Sequence, residues 1–272
     1  MKKREKEILA ASGGLMLPAI GQALHRLRNM KAAVSSALIA WTAVTFDGTN
    51  DYLMRSGAIF SADADYLTIV IRFKRNSSST QRLFDSGVSA SIARVVVGIT
   101  SSALIFSFID STNGKGFSSG SVSLGQTLDT TTTYTLHIAC SVASGVTQIY
   151  LNGTPLSSSP FSWSLTAATI NLSTIVTSAI GSTLAAGSKA NADLSLVWIG
   201  AGMSSSYYIT DPSKFWNAGG TPALGADGSA PGAVPQIFYG QLQDAAGWNA
   251  GTNQGTGGNY TMNLAGSPPG VV

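Results

Sequence analysis

The chain has 272 residues; 44% are hydrophobic and only 11% charged, against roughly 25% charged in an ordinary soluble domain. No apolar run reaches about 18 residues, which argues against a membrane-spanning helix, and a single cysteine, Cys140, excludes an internal disulfide. Charge is segregated: residues 1–31 hold seven of the 16 basic residues and two of the 13 acidic ones, Glu5 and Glu7, so the remainder of the chain is slightly acidic.

Residues 1–37 read as a basic, helical arm. Two helical pieces, 4–11 and 19–33, flank a break at Gly13, Gly14 and Pro18. In the second piece Ile20, Ala23, Leu24 and Leu27 recur at helical spacing. A short arm cannot bury that stripe alone, so it is expected to dock on a partner chain or a second copy. Lys2, Lys3, Arg4, Arg26 and Arg28 are the candidate assembly anchors. A basic arm also suits nucleic acid, anionic lipid or an acidic protein surface, and a solubilising tail is the plainer alternative. A signal peptide fits poorly, because Glu5 and Glu7 lie in the charged region and the glycines and proline interrupt the apolar one.

From residue 38 the period changes to that of strands. In YLTIVIRFKR (66–75), Leu67, Ile69, Ile71 and Phe73 form one face and Thr68, Val70, Arg72 and Lys74 the other. RLFDSG (82–87), ARVVVGI (93–99), ALIFSFID (103–110) and LSLVWIGAG (194–202) supply further strands. YTLHIACSVA (134–143) and VTQIYLNGTPL (146–156) form the clearest hairpin, and Asn152-Gly153 marks a tight turn. Short strands every 8–12 residues indicate a β-sandwich or barrel. One helix is expected at 211–218, opened by Thr210 or Asp211 and Pro212 and ended by Gly219; Phe215 and Trp216 would cover a sheet edge or a sandwich end. Residues 220–272 read as a loop-rich extension with strand-like runs at 236–242 and 259–265, packing on the sandwich or on a neighbour.

Taken in order, FDGTNDYL (46–53), LTIVIRFKR, YTLHIACSV, QIYLNGTPL and LSLVWIG followed by ITDPSKFWNAGG resemble the concanavalin A-like or laminin-G-like jelly roll over about residues 40–220. The resemblance implies an all-β, antiparallel two-sheet sandwich over 38–219, between the arm and the extension. Some members of that family bind glycans, some coordinate calcium and one branch hydrolyses β-glucans. The stretches LGADGSAPGAVPQIFYG and GTGGNYT are similar to C-terminal parts of jelly-roll proteins of tailed bacteriophages and prophages.

Fold does not choose among these roles, so the site must. Glycoside hydrolysis needs two carboxylates, and the chain has no glutamate after Glu7. Aspartates could pair (Asp47 with Asp51, Asp63 with Asp65, Asp85 or Asp110), but none sits in more than a turn pattern. Cys140 and His137 are an odd three residues apart, which on a strand puts them on opposite faces and disfavours Cys–His catalysis. No G-x-S-x-G elbow, zinc cluster or phosphate loop occurs. No catalytic residue is therefore assigned. FDGTNDYL gathers two carboxylates at Asp47 and Asp51, but lacks the spacing of the helix-loop-helix calcium loop. A tight turn accounts for every residue there; calcium at Asp47 and Asp51 is the alternative, and no other cofactor is expected. Glycan binding needs an exposed aromatic platform, and Trp248 with Asn249 and Tyr260 with Asn259 are the least core-like candidates. The leading expectation is a non-enzymatic structural protein of a bacteriophage particle, in capsid decoration or in a tail or fibre, contacting other virion proteins and copies of itself. The alternative is an adhesin that binds host-surface glycans; a glucan hydrolase comes last.

Overall fold

In the computed structural model the described residues are 43–89, 92–109, 116–141, 145–156, 171–202, 212–216, 222–240 and 245–263, with 169 and 243 besides. The chain falls into two compact units, 1–40 and 41–272. The first, with the five anchor candidates, lies outside the described residues.

The second unit is two antiparallel sheets. The first takes β1 (Val44–Asp47), β12 (Asn191–Ala201), β3 (Tyr66–Arg75), β8 (Thr133–Ser141), β9 (Val146–Leu151) and β10 (Thr154–Pro155) in that order. A further strand, β13 (Ile237–Tyr239), pairs with Val197–Ile199 of β12, beyond the stretch that pairs with β1. The second sheet runs β14 (Thr261–Asn263), β2 (Tyr52–Ser56), β11 (Thr177–Ile180), β4 (Gln81–Ser89), β5 (Ile92–Ile99), β6 (Ala103–Ile109) and β7 (Gly116–Ser123).

Alternation sets which face is buried. Leu67, Ile69, Ile71 and Phe73 of β3 enter one continuous core with Leu136, Ile138 and Cys140 of β8 and with Phe84, Val95, Val97, Phe106 and Phe108 of the second sheet. Fully burying a side chain of this size contributes about 1.5–3 kcal/mol, so this shared core holds the two sheets together. The β9–β10 connection is the predicted Asn-Gly turn: Asn152 and Gly153 have φ of 52° and 76°, and the Asn152 side-chain oxygen accepts the Thr135 N–H at 2.8 Å.

Two expectations change. Where a helix was expected over 211–218, the described residues form a single 3-10 turn, Pro212–Phe215. Phe215 and Trp216 cover neither an edge nor an end: Phe215 packs with Val70, Ala139, Leu196, Trp198, Leu224 and Phe238 in a second apolar cluster, against which Trp216 lies. Val70 and Trp198 are on the face of the first sheet turned away from the main core. The segment 222–240 thus caps a sheet face that would otherwise meet water. The C-terminal stretch is built into the fold, since β13 extends the first sheet and β14 edges the second. It also holds a short helix, α1 (Ala245–Asn249), that the sequence pattern did not suggest.

Candidate functional site

The outer face of the first sheet is described row by row from strand register, because directly paired residues share a face. One row reads Trp198, Val70, His137, Tyr150 across β12, β3, β8 and β9. The next holds Leu196, Arg72 and Thr135, and a third holds Asp193, Lys74 and Thr133. A bulge at Ser195 brings Leu196 to Arg72. The face therefore grades from an apolar, capped part to a polar, open part, with Arg72, Tyr150 and Trp216 along the border. Arg72 and Trp216 are half-buried.

His137 sits at the centre of the border. It is fully buried, stacked on Tyr150 at 5.3 Å and flanked by Phe215 at 4.7 Å and Trp216 at 5.9 Å. The Trp216 indole N–H donates to His137 Nδ1 at 3.2 Å. Burial pushes the imidazole down to about 3, so it is neutral at pH 7, with Nδ1 as acceptor and the proton on Nε2. The polar end is tied together by Asp193. Its Oδ2 pairs with Lys74 Nζ at 2.7 Å, and its Oδ1 accepts from Thr45 Oγ1 at 2.8 Å and Asn76 Nδ2 at 2.7 Å. Burial would raise this carboxyl, but hydrogen bonds from Lys74, Asn76 and Thr45 and the Lys74 charge bring it below the usual range.

The platform expected in the C-terminal stretch is not there. Trp248 is fully buried and packs against Tyr239 with tilted rings 4.8 Å apart; Tyr260 is buried beside Tyr239, and Ser178 Oγ donates to its hydroxyl at 2.7 Å. Asn249 is half-buried on α1. Asn259 is exposed but engaged, its side-chain oxygen accepting the Asn253 N–H at 3.1 Å and its carbonyl accepting from Arg55 at 2.8 Å. These residues close the fold, and Trp248 and Tyr260 offer no surface for a sugar ring.

The other polar candidates are dispersed. Asp47 ends β1 and Asp51 lies in the loop before β2, and Asp47 Oδ1 accepts the N–H groups of Thr49, Asn50 and Asp51 at 2.7, 3.0 and 3.4 Å: the expected turn. Asp63 caps the 3-10 turn Leu172–Thr174, accepting the Ser173 N–H at 3.1 Å. Asp85, on the outer face of the second sheet, is pushed up to about 6 by burial, with Arg82 opposing. Cys140 lies in the main core and His137 on the opposite face. Among the described residues no group of three or more His, Cys, Asp or Glu side chains could hold a metal ion, and no helix is long and apolar enough to cross a membrane.

No protein-family model matches the chain, and no curated protein matches it. Solved structures do. A candidate carbohydrate-binding protein from Bacteroides ovatus superposes with a TM-score of 0.55 at 13% identity, over 86% of this chain and 60% of its own. A heptameric SAP-like pentraxin from Limulus polyphemus (TM-score 0.43, 17% identity, 62% and 80% covered) and domains LG4-5 of the mouse laminin α1 chain (0.45, 13%, 60% and 42%) are also similar. The chain has an antiparallel two-sheet jelly-roll sandwich, and at these identities the likeness is one of fold alone.

Proposed function

We propose that this chain is a non-enzymatic, lectin-like binding domain whose ligand is a glycan, held on the outer face of its first sheet. The observation that carries the reading is the border on that face. Trp216 presents a half-buried aromatic surface, the half-buried Arg72 supplies a guanidinium one row from His137, and the buried His137 stacks on the buried Tyr150 and fixes Trp216. Aromatic area beside a few placed polar groups is what sugar recognition requires. The fold shared with the Bacteroides ovatus protein supports it. Hydrolysis is disfavoured because the chain has no glutamate after Glu7. Purified protein on a broad glycan array is expected to bind a defined subset of sugars. Arg72→Ala should weaken that binding by about 1.5–3 kcal/mol, the worth of hydrogen bonds to a charged group. Silence across the array, or release of reducing sugar from β-glucans, would contradict the reading.

A second reading places the same domain in a bacteriophage particle, as a decoration, tail or fibre protein of the virion anchored through residues 1–37. It is favoured by the segregation of seven basic residues into the first 31 and by the phage-like C-terminal stretches. It is compatible with glycan binding, since a displayed domain can contact host-surface sugars.

A further inference from the structure

The β11–β12 connection, residues 181–190, carries the chain from the second sheet to the first and touches the outer face of the second sheet on the way. That face has a row of Ala179, Asp85 and Val96, register partners on β11, β4 and β5, and all three are buried. Leu184 is buried too, yet belongs to neither apolar cluster, and its N–H donates to the Asp85 carboxylate. The connection is closed on itself. The Ala190 N–H donates to the Gly181 carbonyl at 2.8 Å, the Thr183 N–H to the Ser188 carbonyl at 3.2 Å and the Gly187 N–H to Thr183 Oγ1 at 2.7 Å. Residues 182–189 thus form a lobe on a narrow neck, and Gly181 at that neck has φ +78°. The lobe keeps its own hydrogen bonds when it swings off the sheet; the bond it gives up is the one to Asp85.

Asp85 is poorly placed to carry a charge. It is 5% exposed, and its Oδ1 is enclosed without a hydrogen-bond partner. Burial pushes the carboxyl up to about 6, with the Arg82 charge and the N–H groups of Leu184 and Ser86 opposing. Arg82 shares the strand but does not bond the carboxylate: its Nη1 is likewise enclosed without a partner. Of the other charged groups on the elements packed there, Lys189 is half-buried at the end of the lobe and Arg94 is the unpaired residue of the β5 bulge. β5, β11 and the lobe contain no acidic residue. A buried carboxylate short of partners is relieved by taking a proton or by meeting water. We propose that Asp85 is an acid-set clasp: protonated, it keeps the 182–189 lobe closed on the second sheet, and ionised, it lets the lobe swing out and water reach the carboxylate. Opening also uncovers Ala179 and Val96. The clasp is independent of the glycan reading, which concerns the other sheet. In the open lobe the carboxyl returns to its ordinary 3.8, so opening becomes easier as pH rises from about 4 to above 6, by at most about a hundredfold.

Hydrogen–deuterium exchange of the full chain at pH 4.5 and 7.5, each normalised to intrinsic exchange at that pH, tests the clasp. Protection in peptides covering 181–190 is expected to be more than about tenfold higher at pH 4.5, while the core peptide 66–75 gains none. Asp85→Asn keeps an oxygen for the Leu184 N–H and cannot ionise, so protection of 181–190 should be the same at both pH values. Should that variant not fold, the Leu184 amide resonance of the wild type decides: it should shift with a midpoint near pH 6. Equal protection of 181–190 at both pH values in the wild type overturns the proposal, as does a pH dependence that persists in Asp85→Asn or a Leu184 midpoint near pH 4.

Discussion

His137 shows how one buried polar side chain organises a face. Its Nδ1 is the acceptor for Trp216, and its ring lies in a cage with Tyr150 and Phe215. Protonation would remove that acceptor and place a charge in an apolar cage. The unfolded chain takes up this proton near pH 6.5, whereas the folded imidazole, lowered to about 3, refuses it. Stability from this residue is therefore present above pH 6.5 and falls as pH drops towards 3, by up to about 1.4 kcal/mol per pH unit. Urea unfolding between pH 7 and pH 4.5 should show a shallower slope in His137→Phe than in the wild type, by about one proton. Equal slopes would mean that His137 is not held neutral. Alternation in YTLHIAC already placed His137 opposite Cys140. Its burial was not legible, because the residues that cover it come from 212–238, far along the chain, and nothing local announces a cap over a sheet's outer face.

At the scale of elements, the C-terminal stretch is where sequence reasoning and structure part. Trp248 sits among Gly, Asn and Ala without a strand or helix period, and Tyr260 stands at the start of a short strand-like run behind a Gly/Asn stretch, so both resembled surface aromatics. Their burial comes from closure: β13 and β14 join different sheets, and α1 between them carries Trp248 onto Tyr239. Glycines allow the close approach. Gly251 has φ +67°, and a Cβ there would lie 2.0 Å from the Tyr260 carbonyl oxygen. Gly251→Ala should cost more than about 2 kcal/mol, through strain and this collision, and Trp248→Ala about 3–5 kcal/mol, both by chemical denaturation. A Trp248→Ala protein that kept full stability and lost only glycan binding would restore the platform the sequence suggested. The strands β3, β8 and β9 were legible because period-two alternation, Asn-Gly and β-branched residues all agree there. The 3-10 turn at Pro212 shows the limit: capping residues mark where a helical turn starts but not how far tertiary packing lets it run.

For the whole molecule, two sheets with a shared core leave one outer face partly capped and partly polar, and the proposed site lies where these parts meet. The sandwich was readable from the sequence because strand spacing and turns are local. The face was not, because Arg72, His137, Tyr150 and Trp216 converge only through register and a distant cap. The virion reading is tested at this scale: deleting residues 1–33 should leave a folded β-domain that no longer enters particles, and unaffected assembly would remove the anchor.

The central claim is the position of the ligand, and hydrogen–deuterium exchange with and without array-selected glycans measures it most directly. Bound glycan should slow exchange in peptides spanning 66–75 and 133–151. No protection by any glycan, or protection confined to 245–263, would contradict the account.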